Sequence, residues 1–150
     1  MFSLVDDVYV EDRLFTLKVR CEYERCKGAC CKGEGLGTPL FDRDIKRIEK
    51  KTGEYDFFDY NRGPRLKLRK NGECMFLSGD SCTINDVKPF FCLAFPVVFH
   101  TKDGFKYLMF RPYSECSFVR SDVHYVTSIK RALVQRFSQR WYDRLLQRLK

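Results

Sequence analysis

The sequence predicts an α+β domain: small antiparallel hairpins and a short helix around a cysteine metal centre, plus a long C-terminal amphipathic helix. Three observations carry that expectation. Short apolar runs alternate with period two and end at Asn-Gly or Asp-Gly. From Val126 onward the apolar period lengthens to three and four. Eight cysteines fall in 150 residues, four of them between positions 21 and 31. A hydrophobic fraction of 44% in a chain this long can build a core without covalent staples, so the thiols call for a chemical explanation.

The elements follow in order. Val8–Val10 and Phe15–Val19 read as strands, the second with Phe15, Leu17 and Val19 on one face. The cysteine-rich loop starts at Cys21, and Gly33, Gly35 and Gly37 make a flexible exit. A short helix begins near Asp42, presents Ile45 and Ile48 on one face and stops at Gly53. Asp42 and Asp44 read as surface or capping residues. Leu66 and Leu68 lead to a hairpin turn at Asn71-Gly72 and on into Cys74–Leu77. Pro89 and Pro96 bracket Cys92, which marks a turn or one helical turn. Val97–Thr101, Asp103-Gly104 and Phe105–Phe110 form a second hairpin. The last helix, capped by Ser121 or Asp122, buries Val126, Ile129, Leu133, Phe137, Trp141, Leu145 and Leu149.

No linker or repeat interrupts the chain, so residues 1–150 read as a single metal-binding domain, with a core over about 15–120 and the basic helix over about 122–150. The stretch Met1–Val10 carries Asp6 and Asp7 and lacks the pattern of a secretory leader. No run approaches the roughly 18 apolar residues of a membrane span. The expected location is therefore cytoplasmic, where thiols stay reduced and patterned cysteines favour metal over disulfide.

A metal site needs several soft donors aimed at one point. Cys21-x4-Cys26-x3-Cys30-Cys31 supplies them locally, and Cys74, Cys82, Cys92 and Cys116 can supply more. Disulfides and plain buried thiols are the competing readings, and a bridge between the adjacent Cys30 and Cys31 would be strained. The spacing matches neither zinc ribbons nor bacterial ferredoxins, so zinc and iron–sulfur both remain open at this point. His100 and His124 are further donors by residue type, without a spacing motif.

Three segments together resemble the YkgJ-like family of cysteine-cluster proteins, the CxxCxxCC zinc- or iron-chelating domain. They are Cys21–Cys31 with the glycine loop and following helix, Cys74-Met75-Phe76-Leu77…Cys82-Thr83-Ile84, and Lys88-Pro89-Phe90-Phe91-Cys92-Leu93-Ala94-Phe95-Pro96. The first two cysteine gaps are longer here than the family name indicates. Lys88 and Leu93 stand where the family commonly has Arg. The resemblance implies that Cys21, Cys26, Cys30, Cys31, Cys74, Cys82 and Cys92 are metal ligands; Cys116 joins them by residue type and count. It implies one centre shared between the N-terminal loop and the Cys74–Cys92 segment. The implied cofactor is an Fe–S cluster, [4Fe–4S], with Zn as the alternative. The implied role is an accessory subunit, electron carrier or maturation factor. A related cysteine-rich region in flagellin lysine methylases adds a redox or methyl-transfer enzyme as an alternative.

No P-loop, dinucleotide fingerprint or HExxH motif is present, so a non-catalytic role is favoured. A redox-active thiol near Lys27 or Lys32 ranks below metal binding. The last 28 residues hold seven basic residues and one acid, or +6 of the chain's +8. Arg136, Arg140, Arg144 and Arg148 form a stripe beside the apolar one. The structural reading is a helix packed on the core with its arginines solvated. The functional reading is a docking surface for an acidic protein partner, with nucleic acid ranked second and a membrane surface last.

Overall fold

In a computed structural model of the chain, residues 1–22, 36–79, 81–112 and 116–150 are described. Expectations for Cys26, Lys27, Cys30, Cys31, Lys32, Gly33 and Gly35 lie outside those residues. The strands are β1 (Phe2–Val5), β2 (Val8–Glu11), β3 (Val19–Cys21), β4 (Phe58–Tyr60), β5 (Pro64–Leu66), β6 (Leu77–Ser78), β7 (Ser81–Cys82), β8 (Val97–Lys102), β9 (Phe105–Phe110) and β10 (Phe118–Arg120). The helices are α1 (Asp42–Thr52), α2 (Phe90–Leu93), α3 (Tyr125–Ser128), α4 (Lys130–Arg136) and α5 (Gln139–Leu146). The chain groups into two compact units, Met1–Arg25 with Ala94–Lys150, and Cys26–Leu93.

In the first unit the period-two runs become a four-stranded sheet in the order β1-β2-β9-β8. The β8–β9 hairpin turns where the sequence places it, at Asp103-Gly104, both with positive φ. Strand β2 joins β9 in parallel, and β1 pairs with β2. One face buries Val8, Val10, Val97, Phe99, Leu108 and Phe110. Phe99 meets Phe137 at 5.6 Å and Phe110 meets Tyr125 at 6.0 Å, so the C-terminal segment covers this face.

That segment is not one long helix. Its apolar stripe is buried as expected at Val126, Ile129, Leu133, Trp141 and Leu145, but the backbone divides into α3, α4 and α5. The second break has a readable cause. Ser138 adopts extended backbone, and its Oγ accepts the Trp141 N–H at 3.0 Å, which caps α5. The first residue of α3 follows His124, not Ser121 or Asp122; Ser121 Oγ instead takes the Val123 N–H in a turn. The strand expected over Phe15–Val19 is likewise shorter. Leu14 and Phe15 are both buried, which strand alternation cannot achieve, and Asp12–Phe15 forms a 3-10 turn before β3.

In the second unit α1 runs from Asp42 to Gly53, whose positive φ ends it. Leu40, Ile48, Phe57, Leu66, Phe76, Leu77 and Ile84 form the core with Cys74. The turn at Asn71-Gly72 exists, with Gly72 at φ 85° and an Arg69 N–H bond to Glu73 O at 2.7 Å. Its arms meet only in one bridge, Leu68 to Cys74, because Leu66 pairs with β4 instead.

Candidate metal centre

The described cysteines are held by different local devices. In the first unit β3 and β10 form an antiparallel ribbon in which Cys21 pairs with Phe118. The ladder continues one step, with Glu22 N–H donating to Ser117 O at 2.8 Å. Strand alternation then sets Cys116, two residues before Phe118, on the same face as Cys21. Such diagonal neighbours have Cα atoms about 7–8 Å apart. That is too wide for a relaxed disulfide and suits two thiolates that share a metal or cluster. Cys116, a candidate from the count of eight, precedes the last residue of that ladder, Ser117.

In the second unit Cys74 is buried in the core and Cys82 packs against it from β7, opposite Leu77. Cys92 sits in α2, where Pro89 O accepts its N–H at 3.0 Å. Its Sγ lies 3.6 Å from Thr38 Oγ1. Thr38 is seven residues past Cys31 in the chain, so Cys92 stands at the exit of the cysteine-rich segment.

The exit is pinned rather than flexible at Gly37. A Cβ there would meet Leu66 O at 1.7 Å, so only glycine lets the two backbones approach. Leu66 N–H donates to Thr38 O at 2.9 Å and Leu40 N–H to Pro64 O at 2.9 Å, around a bridge between Pro39 and Arg65. The run after the cysteines thus adds to the edge of β5.

Asp44 is the residue that sequence reasoning undervalued. It caps α1 as expected, but it is 1% exposed and not on the surface. Its Oδ2 accepts the Phe41 N–H at 2.8 Å. Its Oδ1 accepts the Phe90 N–H at 3.2 Å and an Arg47 N–H at 2.5 Å. Burial pushes the carboxyl above its ordinary value, against the pull of these three donors. One carboxylate therefore ties the start of α1 to the start of α2, two residues from Cys92. The available signal was helical spacing: Asp44 shares a face with Ile48, a wholly buried residue.

The other candidates are placed as follows. His100 is exposed on β8, and His124 Nε2 lies 2.7 Å from Lys150 O. Of the four stripe arginines, Arg136 lies over the Phe99 ring at 4.6 Å. Arg144 pairs with Asp6, and Arg148 donates to Leu4 O at 2.9 Å. Arg140 is exposed. Three of the four thus make contacts within their own unit.

Among the described residues no group of three His, Cys, Asp or Glu side chains converges as a complete metal site. The donor chemistry nevertheless fits zinc or iron, since the cysteines supply soft thiolates and, in the first unit, a diagonal pair. No helix among the described residues is long and apolar enough to cross a membrane. A family model, CxxCxxCC, described as "Putative zinc- or iron-chelating domain", matches residues 20–121. No curated protein and no solved structure matches the chain.

Proposed function

The chain belongs to the CxxCxxCC family of zinc- or iron-chelating domains, and from that premise we propose that it holds a [4Fe–4S] cluster and works as an accessory subunit, electron carrier or maturation factor. The cluster's four thiolate ligands are drawn from Cys21, Cys26, Cys30, Cys31, Cys74, Cys82, Cys92 and Cys116. The observation that carries this is the approach of Cys92 Sγ to Thr38 Oγ1. It supports a centre shared between the first cysteine motif and the last, which are far apart in sequence. Such a cluster supplies one-electron transfer when bound. The chain's own part is to fix and shelter the thiolates. Asp44 and Pro89 hold the helix that carries Cys92, and the apolar cluster around Cys74 keeps water away.

Anaerobic purification with iron and sulfide analysis and a visible spectrum tests this. The expected result is a coloured protein with iron and acid-labile sulfide in equal amounts. A colourless protein with one or two zinc ions sinks the cluster and leaves structural zinc. Stripping the metal with a chelator should lower the urea midpoint of the fold, because ligand binding is linked to folding. A protein partner is the proposed target of the stripe Arg136, Arg140, Arg144 and Arg148, with Arg140 its most available member. A stoichiometric partner in a pulldown, lost with Arg140→Glu, is the expected outcome.

A further inference from the structure

The four-stranded sheet of the first unit has a second face. The register aligns Leu4, Tyr9, Tyr107 and His100 across all four strands, and Lys102 with Phe105 at one end. These side chains alternate with the buried set and so project away from it. Four aromatic rings form a continuous row there. Phe2 meets Tyr107 at 5.6 Å, Tyr107 stacks on Tyr9 at 5.5 Å, and Tyr9 meets Phe105 at 5.9 Å. Phe105 is 51% exposed and Leu4 48%, and each of these large apolar residues neighbours Tyr9. The rings of Phe137 and Tyr125 pack on the opposite face, against Phe99 and Phe110.

The charge around the row has one sign in excess. Glu11 is the one acid in the four strands of this sheet, and it is bonded by Arg13 at 3.0 Å and Arg111 at 3.3 Å. Lys102 and His100 lie on β8 at the other edge. Asp7, in the turn before β2, is paired with Lys106 at 2.6 Å. Asp103 sits in the β8–β9 turn. Rings on an open sheet with a cationic rim suit a chain of flat bases joined by phosphates. Any base can stack on an aromatic face, and the phosphates need positive charge nearby. A proline-rich peptide would need a groove between rings, and an open face offers none.

We propose that this face binds single-stranded nucleic acid, with bases stacked on Phe105 and Tyr107 and the backbone passing Lys102 and Arg111. The site is independent of the cysteines and of the metal reading.

Fluorescence anisotropy of the full chain, isolated anaerobically, with labelled 12-nucleotide oligouridylate and oligothymidylate tests it. Binding should appear at 50 mM salt and weaken steeply by 200 mM. Phe105→Ala should weaken it about tenfold, and adding Tyr107→Ala should weaken it further. Phe105→Trp should restore it. Lys102→Ala should lower the salt slope by about one. Because Phe105 is half exposed, Phe105→Ala and Phe105→Trp should melt within a few degrees of the parent. Absence of binding at 50 mM salt overturns the proposal. So does unchanged affinity in Phe105→Ala, or loss of binding only with Arg140→Ala, which would move the site to the C-terminal helices. A dimer in sedimentation that Phe105→Ala dissociates also overturns it, since the face would then be covered by a second copy.

Discussion

Replacing Asp44 with alanine leaves three donors facing a gap. The Phe41 N–H loses its cap, worth about 1 kcal/mol. The Phe90 N–H is buried, so losing its acceptor costs about 1–3 kcal/mol. Arg47 is 30% exposed, so water recovers most of its pairing and the loss there is at most about 1 kcal/mol. Together these place the cost at about 2–5 kcal/mol, a large share of the roughly 5–15 kcal/mol that holds a typical domain. Asp44→Asn keeps the shape and one acceptor oxygen and should cost about half as much. The assay is urea unfolding followed by far-UV circular dichroism, with protein kept in one metal state throughout. With a slope of about 1–3 kcal/mol per molar, Asp44→Ala should lower the midpoint by at least about 0.7 M. Metal content should fall with it, because α2 carries Cys92 two residues after Phe90. A midpoint for Asp44→Ala within about 0.3 M of the parent would refute the reasoning, given that slope. Equal losses in the alanine and asparagine variants would show that volume matters rather than acceptors.

Gly37→Ala should destabilise the second unit by about 1–3 kcal/mol, because the new methyl overlaps Leu66 O and pushes apart the two backbones that the Pro39–Arg65 bridge joins; urea midpoints check this. Glu11 gives the acid response of the first unit. Burial alone would raise its carboxyl, but bonds from the Phe110 N–H, Arg13 and Arg111 outweigh that and hold it below its ordinary value. Its contribution is therefore present above the unfolded value of about 4.3 and is lost as pH falls through the lower folded value. Glu11→Gln should flatten the melting temperature against pH on the acid side of about 4, and a profile parallel to the parent's would contradict the assignment. Ser138→Ala should cost about 1 kcal/mol and Ser138→Asp almost nothing, read by thermal melts, because only the cap on the Trp141 N–H changes.

The sequence made local devices legible and long-range ones not. The β8–β9 hairpin could be read because Asp103-Gly104 and the flanking alternation sit within fourteen residues. The end of α1 could be read because Gly53 is the residue that a left-handed cap requires. The stripe from Val126 to Leu145 was right about burial and wrong about continuity. Apolar period reports which side chains face a core, and three short helices that turn together satisfy it as well as one long helix. Ser138 held the missing information, since a serine inside a helical pattern offers its hydroxyl to a nearby N–H as a competing end. The burial of Asp44 was missed for the opposite reason. Its class points to the surface, and only its spacing to Ile48 points inward.

The cysteines show the same division, and it bears on how a site could be assembled. Cys21 and Cys116 lie 95 positions apart in the chain, and nothing in Phe118–Arg120 advertises the ribbon that aligns them. Each described cysteine other than Cys116 lies on an element or, for Cys74, in an isolated bridge, so its backbone is already paired. Cys21 ends β3, Cys74 bridges Leu68, Cys82 ends β7 and Cys92 is inside α2. Ordering a free backbone residue costs about 1–2 kcal/mol, so thiols carried on formed elements lose little more on binding. The ligation proposed for them would then draw strength from preorganisation in the fold as much as from local sequence spacing. This is why a carboxylate such as Asp44, which is not a thiol and not in any cysteine motif, should matter to metal content through the helix it holds.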